Sequence, residues 1–206
     1  MRKYLSFILL GALTVVGLGA AVLGIVQSQS GTSLGQAVTI TLKSPSYAEL
    51  DVEKTPQGDQ TANLVYQAPD RLGGWIQSAG KRTYLVIIGS TEYISLTRDA
   101  KLAGSPLIFY TQQSPGAQAV DPAHLYLPFY KQGPSTRSGS VTTVTVTQNG
   151  QSVKLRFTVT GNYVSNFTAN EPGGSIDLTI SHVGSAPAVN LPKGSRIVAA
   201  PAQAAG

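Results

Sequence analysis

Polarity alternates from one residue to the next in several parts of the chain, and this period of two constrains the fold more than any other feature. Ala48, Leu50 and Val52 alternate with acidic residues, and the segments 62–68 and 176–181 repeat the pattern. Successive side chains of a β-strand point to opposite faces of the sheet, so this alternation predicts antiparallel strands with one buried face. We expect the hydrophobic residues to form that face.

The clearest local prediction is a β-hairpin at Asn149-Gly150. Both residues tolerate the positive φ that a two-residue type I′ turn requires. Such a turn places Val146 opposite Val153 and Val144 opposite Leu155, so that all four hydrophobic side chains share one face.

Pairs of glycine, proline, asparagine and aspartate interrupt the chain at short intervals and predict turns between about nine or ten short strands. The segment 36–43 (QAVTITLK) is rich in β-branched residues, yet it is also compatible with a short helix that leads into the sheet. The predicted turns lie at Pro69-Asp70, Gly73-Gly74, Gly80-Lys81, Gly89-Ser90, Gly161-Asn162 and Gly173-Gly174.

The segment from Asp121 to Tyr130 breaks the period of two. An aspartate before a proline is typical of a helix start, with Asp121 as the N-cap and Pro122 at the first helical position. Pro128 then limits the helix to about two turns or kinks it. We therefore expect a short apolar helix here.

The segment Tyr84–Ile88 is apolar on both faces, unlike the other predicted strands. Two explanations are open: protein covers both faces, or one face lines an apolar cavity. In the second case the helix near Leu125 is a natural cover. The period alone does not decide which face of this strand points inward.

An uncharged apolar segment, Tyr4–Val26, follows Arg2 and Lys3 at the N-terminus. At about 1.5 Å per helical residue it is roughly 35 Å long, which is enough to cross the hydrocarbon core of a bilayer. The two basic residues are expected to stay in the cytoplasm, so the rest of the chain is extracytoplasmic. The length favours an uncleaved anchor over a signal peptide cleaved near Val26-Gln27-Ser28.

We therefore divide the chain into four parts. Residues 1–30 hold the anchor or signal peptide and the start of a linker, and 31–44 form a linker or a segment leading into the sheet. Residues 45–192 form a β domain, and 193–206 are expected to be a flexible tail.

Composition excludes several kinds of function. The chain has no cysteine, which rules out disulfides, thiol chemistry and a lipid-modified cysteine. Its net charge is +5, of which Arg2 and Lys3 contribute two, so the exported part is too weakly basic to suggest nucleic-acid binding. No HExxH, phosphate-binding loop or GxSxG motif occurs, and His124 and His182 are interpreted as structural. We expect no catalysis and no cofactor.

Glu49, Asp51 and Glu53 project from one face of the first predicted strand, about 7 Å apart. We interpret this face as solvated, because calcium sites also draw ligands from loops and backbone carbonyls; a bound calcium ion is the alternative. Four aromatic residues recur on neighbouring strands, as expected for cross-strand packing or, alternatively, for an acyl pocket. They are Tyr66, Trp75, Tyr84 and Tyr93.

Two stretches of the β domain resemble a known family pattern. The first contains YQAPDRL (66–72), Trp75, the apolar strand and GSTEY (89–93). The second begins at Asp121-Pro122 and continues through residues 125–129, GNYV (161–164) and SAPAVNLP (185–192). Their order and spacing resemble the LolA/LppX-like superfamily of envelope lipoprotein and lipid carriers, particularly its actinobacterial LppX/LprG-type members, over residues 45–192.

This resemblance implies a mainly β (α+β) fold class: a curved antiparallel half-barrel sheet with a short helical lid over an apolar cavity, here preceded by the N-terminal transmembrane helix. It also implies a lipid or acylated ligand that is bound without catalysis, in the cell envelope. LppX/LprG-type members are anchored through an acylated cysteine, which this chain lacks, so the N-terminal helix would provide the anchor.

The sequence thus predicts an extracytoplasmic protein that binds a lipophilic ligand and has no metal site. The expected cavity walls and lid form one set: Trp75, Tyr84, Val86 and Ile88 as walls, and Leu125, Leu127 and Phe129 as lid. The alternative is a membrane-anchored β-sandwich with a filled core that serves as a structural or protein-interaction module.

Overall fold

The computed structural model describes residues 32–95, 107–148, 151–171 and 173–198. The predicted membrane span Tyr4–Val26 and the predicted turn Asn149-Gly150 lie outside these ranges. Within them, no helix has the length and hydrophobicity needed to cross a bilayer.

The strands in these ranges all belong to one large, open, curved sheet, so the alternative prediction of a two-sheet sandwich is wrong. Neighbouring strands are antiparallel except for β12, which is parallel to β6. The order across the sheet is β12-β6-β5-β4-β3-β2-β1-β11-β10-β9-β8-β7. The strands are β1 (Ser46–Lys54), β2 (Gln60–Gln67), β3 (Arg71–Ser78), β4 (Lys81–Ile88), β5 (Thr91–Ser95), β6 (Ile108–Gln113), β7 (Ser135–Ser138), β8 (Val141–Gln148), β9 (Gln151–Thr160), β10 (Tyr163–Glu171), β11 (Gly174–Ser181) and β12 (Arg196–Val198).

Short helices pack on one face of this sheet, which we call the inner face. They are α1 (Leu34–Lys43), α2 (Ala117–Val120), α3 (Pro122–Tyr126) and a 3-10 helix (Leu127–Lys131). The ambiguous segment 36–43 is thus helical. Ser33 and Gln36 form a capping box at the start of α1, which satisfies backbone N–H groups that a helix start leaves free. Ala37, Val38 and Thr41 are buried, and α1 packs against β9 and β10.

The hairpin prediction is confirmed in its register. Val146 lies opposite Val153 and Val144 opposite Leu155, and all four are buried on the inner face. Gln148 pairs with Gln151, the spacing that a two-residue loop gives.

The prediction of which face of β1 is buried is wrong. Glu49 and Asp51 are buried at 2% and 4% exposure, whereas Leu50 is 41% exposed. Register explains the result, because Glu49 and Asp51 lie beside Ile180 and Leu178 of β11 on the inner face. The carboxylates therefore face the core, and the interpretation of this face as solvated is wrong.

The predicted turn at Gly73-Gly74 is also wrong, since both residues lie inside β3. Each glycine permits a close approach that a side chain would block. A Cβ on Gly73 would lie 2.8 Å from Val189 Cγ1, and one on Gly74 would lie 2.0 Å from the carbonyl oxygen of Asn63. Glycine here serves packing within the sheet rather than a reversal of the chain.

Protein covers both faces of β4. Leu85 and Ile87 are buried in the inner core, whereas Val86 is buried on the opposite, outer face. There Val189 packs over β3, with its backbone held by Gln67 and Arg71. The chain after Val189 then adds β12 to the sheet edge, so Arg196–Val198 is a strand rather than part of the predicted flexible tail.

Substitution of Gly74 by alanine tests this close packing. The new Cβ would collide with the Asn63 carbonyl, and Gly74 also has a φ of +156°. We expect Gly74→Ala to lower the free energy of unfolding by about 2 kcal/mol or more in urea titrations followed by circular dichroism. Gly173→Ala is the matched control, because nothing lies within 4 Å of a Cβ there. Equal stability of the two variants would contradict this account.

Candidate functional site

The segment 117–131, which comprises α2, α3 and the 3-10 helix, lies against the inner face near β1 and β11, and we call it the cover. Asp121 caps α3 through a hydrogen bond from the His124 backbone N–H, and Pro122 occupies the first turn, as predicted. The helix changes to 3-10 geometry at Leu127, next to Pro128, which confirms the predicted limit on its length.

The cover is joined to β1 by a ladder of polar contacts. Alternate residues of β1 point inward, and three of them meet a group of the cover. The Tyr47 hydroxyl donates to Asp121 Oδ2 at 2.7 Å, and the Ala123 backbone N–H donates to Glu49 Oε1 at 2.9 Å. At the far end the Tyr126 hydroxyl donates to Glu53 Oε1.

Aromatic and amide contacts extend this ladder onto β2. The rings of Tyr47 and Tyr66 stack at 4.9 Å between centroids, and the His124 ring lies 4.9 Å from Tyr66. His124 Nδ1 lies 2.7 Å from Asp121 Oδ2, and Gln118 Nε2 donates to the Tyr66 hydroxyl at 3.1 Å. His124 thus holds the cover in place, which agrees with its structural interpretation.

Glu49 and Asp121 form a buried acid pair. Glu49 Oε2 and Asp121 Oδ1 have no hydrogen-bond partner among the described residues, and the two carboxyls lie next to each other. Two carboxylates cannot share such a contact unless one holds a proton. Burial, followed by the charge of Asp121, raises the pKa of Glu49 well above its ordinary value, which favours the protonated form of Glu49.

Asp51 lies within the ladder, between Glu49 and Glu53, yet no group of the cover is hydrogen-bonded to it. Its Oδ1 is buried without a partner among the described residues. Burial raises the pKa of Asp51 to about 8, with further contributions from the charges of Glu53 and Asp177. An unpartnered buried carboxyl is costly, and it is most easily tolerated when protonated.

A small cavity lies beside Asp51, between the cover and strands β1 to β4. It has room for about one or two water molecules. The lining residues are Asp51, Glu53, Gln60, Ala62, Leu64, Ile76, Leu85, Val120, Pro122, Leu125 and Tyr126.

The structure brings only part of the predicted ligand-binding set to this cavity. Leu125 lines it. Leu127 is fully buried in the inner core, and Phe129 packs partly buried against that core. The four predicted wall residues lie on the outer face, as the pairing of β3 with β4 and the position of Val86 show. They are Trp75, Tyr84, Val86 and Ile88. Whether any of these seven residues contacts a ligand stays a prediction.

The four recurring aromatic residues do not form one cluster. Tyr66 is buried on the inner face, whereas Trp75 and Tyr84 pair across the outer face, with Arg82 stacked 3.9 Å from the Trp75 ring. His182 leaves the apolar row of β11, because it is exposed in a turn at φ +53°. No group of three or more His, Asp or Glu side chains in the described ranges is placed to hold a metal ion.

Sequence reasoning missed the acidic inner face because it assigned β1 by hydrophobicity alone. Ala48, Leu50 and Val52 form the more apolar phase of the strand. The other phase begins with Tyr47, and an aromatic residue in phase with carboxylates was the one available signal of burial. The groups that satisfy those carboxylates come from the cover, more than seventy residues later in the chain, where local pattern gives no information.

Comparison with solved structures finds similar folds among mycobacterial proteins. The Mycobacterium tuberculosis lipoprotein LppX aligns at 12% identity and a TM-score of 0.48, covering 76% of this chain and 96% of that chain. LprF from Mycobacterium bovis aligns at 15% identity and a TM-score of 0.46, covering 79% and 95%. LppX gives its name to the family type that the sequence resembles; a similarity of this degree says nothing about a ligand.

No family model matches the sequence. A search of curated proteins also gives no match.

The raised pKa of Asp51 predicts a specific pH dependence of stability. An unfolded aspartate ionises near pH 3.9, whereas folded Asp51 holds its proton to about pH 8. Between these values the folded state binds more protons, so the free energy of unfolding falls as pH rises, by up to about 1.4 kcal/mol per pH unit for this group. Asp51→Asn is neutral throughout, and we expect its stability relative to wild type to increase by at least about 2 kcal/mol between pH 4 and pH 8.

Urea titrations at both pH values measure this difference. Asp59→Asn, in the exposed turn between β1 and β2, is the control and should show little change with pH. A constant difference between Asp51→Asn and wild type would contradict the buried, protonated state of Asp51.

The acid pair makes a second prediction. Glu49→Gln keeps an acceptor for the Ala123 N–H and a donor toward Asp121, so hydrogen exchange at the Ala123 amide should stay within about threefold of wild type. Glu49→Leu removes both and should accelerate that exchange at least tenfold, with a loss of about 1–3 kcal/mol in unfolding free energy. Amide exchange followed by NMR distinguishes the variants. Wild-type protection of Ala123 in Glu49→Leu would show that the pair does not hold the cover.

Proposed function

We propose that this protein is a non-catalytic, extracytoplasmic protein that binds a lipophilic ligand between the inner face of its sheet and the cover. In the cell envelope, such binding would serve lipid or lipoprotein transport. The observation that carries the proposal is the cavity between cover and sheet. Its walls are mainly apolar, and it lies beside Asp51, the residue of the ladder that is not hydrogen-bonded to the cover.

Ligand entry requires the cover to move. Small-molecule sites usually have volumes of about 300–1,000 Å³, whereas this cavity holds only one or two waters. The cover is short, and polar contacts join it to β1 and β2. Displacing it would expose Leu64, Leu85 and Leu125 to an acyl chain. Each methylene of that chain removed from water contributes about 0.8 kcal/mol, which offsets the cost of opening.

The N-terminal sequence supports the proposed location. Arg2 and Lys3 precede the apolar segment Tyr4–Val26, a pattern typical of an exported chain anchored in the cytoplasmic membrane, or secreted if the segment is cleaved. The resemblance to envelope lipid carriers is consistent with the same location.

One observation favours a second candidate, a structural or protein-interaction module. The inner core is nearly filled: Tyr47, Phe157, Phe167 and Leu178 are all almost fully buried. A domain that never opens would need no cavity, and its partners would bind outside. The two candidates differ in whether the interior takes up an apolar molecule.

Uptake of the neutral fluorescent probe N-phenyl-1-naphthylamine separates them. We expect a saturable rise in fluorescence with wild-type protein, and at least fivefold weaker binding by Leu125→Ser, because a serine places a polar group at the cavity wall. Leu50→Ser is the matched control: it makes the same change at an exposed position on the outer face and should bind as wild type does.

Extraction of the purified protein with organic solvent, followed by mass spectrometry, gives an independent measurement of any lipid already bound. The absence of saturable probe uptake together with an empty extract would reject the binding proposal and favour the interaction module. Equal binding by Leu125→Ser and wild type would place the ligand away from the cover.

A further inference from the structure

The cavity carries information about the polar end of a ligand. We propose that this site takes an amphiphile whose polar end is an ammonium group, and that Asp51 is the residue that receives it. This inference rests on the proposed function and adds the chemical class of the ligand.

Asp51 differs from its neighbours in the ladder. Three residues of β1 are hydrogen-bonded to the cover: Tyr47 donates, and Glu49 and Glu53 accept. Asp51 occupies the same row at 4% exposure, and its Oδ1 has no donor among the described residues. Buried acceptors in folded proteins are nearly always paired. This one borders the cavity, so a donor that enters the cavity can complete the row.

The charge of the cavity lining favours a cation. Two carboxyls, Asp51 and Glu53, line the cavity, and its lining contains no lysine, arginine or histidine. Glu53 accepts from Tyr126, so its position is already fixed. A carboxylate or phosphate entering here would meet acidic groups without a compensating cation, at a large desolvation cost. An ammonium group would meet acceptors of opposite charge.

The size of the cavity also fits an ammonium group. An ammonium group is about as large as a water molecule, and the cavity accommodates about one or two waters. Ala62, Leu64 and Ile76 surround the same space. They would contact the first methylenes of the attached chain, while the rest of the chain would occupy the space opened by the cover.

Other charged groups near Asp51 act in the same direction. Glu49 and Glu53 flank it on β1, Asp121 and Tyr126 face it from the cover, and Asp177 lies beyond it on β11. Burial raises the pKa of Asp51, and the charges of Glu53 and Asp177 raise it further by disfavouring a second negative charge. A bound cation would offset that repulsion and replace the proton on Asp51.

The test is competition against N-phenyl-1-naphthylamine by three amphiphiles with the same chain: dodecylamine, dodecanol and dodecanoate, at pH 8 and below their micellar concentrations. For wild type we expect dodecylamine to compete at least tenfold more strongly than dodecanol, and dodecanoate to be weakest. For Asp51→Asn, with competition measured relative to that variant's own probe affinity, the advantage of the amine over dodecanol should fall to less than threefold.

Glu92→Gln is the matched control. Glu92 is also a buried carboxyl of the inner face, but Gln112 donates to it and it does not line the cavity. This variant should keep the wild-type order of the three amphiphiles.

The outcomes separate the two proposals. Probe uptake with equal competition by all three amphiphiles, or with dodecanoate strongest, overturns the ammonium assignment and leaves lipophilic binding standing. An amine preference retained in Asp51→Asn overturns the role of Asp51. Failure of the probe to bind, together with an empty lipid extract, rejects the proposed function, and the present inference with it.

Discussion

The hydrogen-bonded ladder between β1 and the cover is the interaction on which the inner side of this protein depends. A strand near the centre of the sheet carries three carboxyls on its buried face, an arrangement that hydrophobicity alone would not allow. Two of them are satisfied by a short helical segment, because the Ala123 backbone N–H donates to Glu49 and the Tyr126 hydroxyl donates to Glu53, whereas Asp51 has no such partner. The same contacts fix where the cover lies and the direction in which it runs along β1.

Such a polar layer differs from an apolar core in how it can be disrupted. Apolar contacts are nondirectional and change little with pH, whereas the contact between the neighbouring carboxyls Glu49 and Asp121 depends on their protonation. Asp51 introduces a second dependence, because it lacks the partner that its neighbours have. The cover is therefore attached by the part of the interior most sensitive to charge, and the cavity lies at the weakest position of that attachment.

The outer face depends on a different device. Gly73 leaves room for Val189, whose backbone is held by Gln67 and Arg71, and the following chain extends the sheet with the parallel strand β12. This packing explains why β4 is apolar on both faces without a cavity on each. Trp75 and Tyr84 belong to that outer surface, which separates them from Leu125 of the cover.

Sequence alone determined the local features: the 144–155 hairpin register, the Asp121-Pro122 helix start and the mainly β class, because turn chemistry, capping and periodicity act within a few residues. Tertiary structure decided the inward face of β1, the place of Gly73-Gly74 inside a strand and the face of Trp75. Each of these depends on a partner distant in the chain: Asp121 and Ala123 for the carboxyls, Asn63 and Val189 for the glycines. A buried carboxyl and a solvated one look identical in sequence. Only the hydrogen-bond donors that the folded chain brings to them distinguish the two.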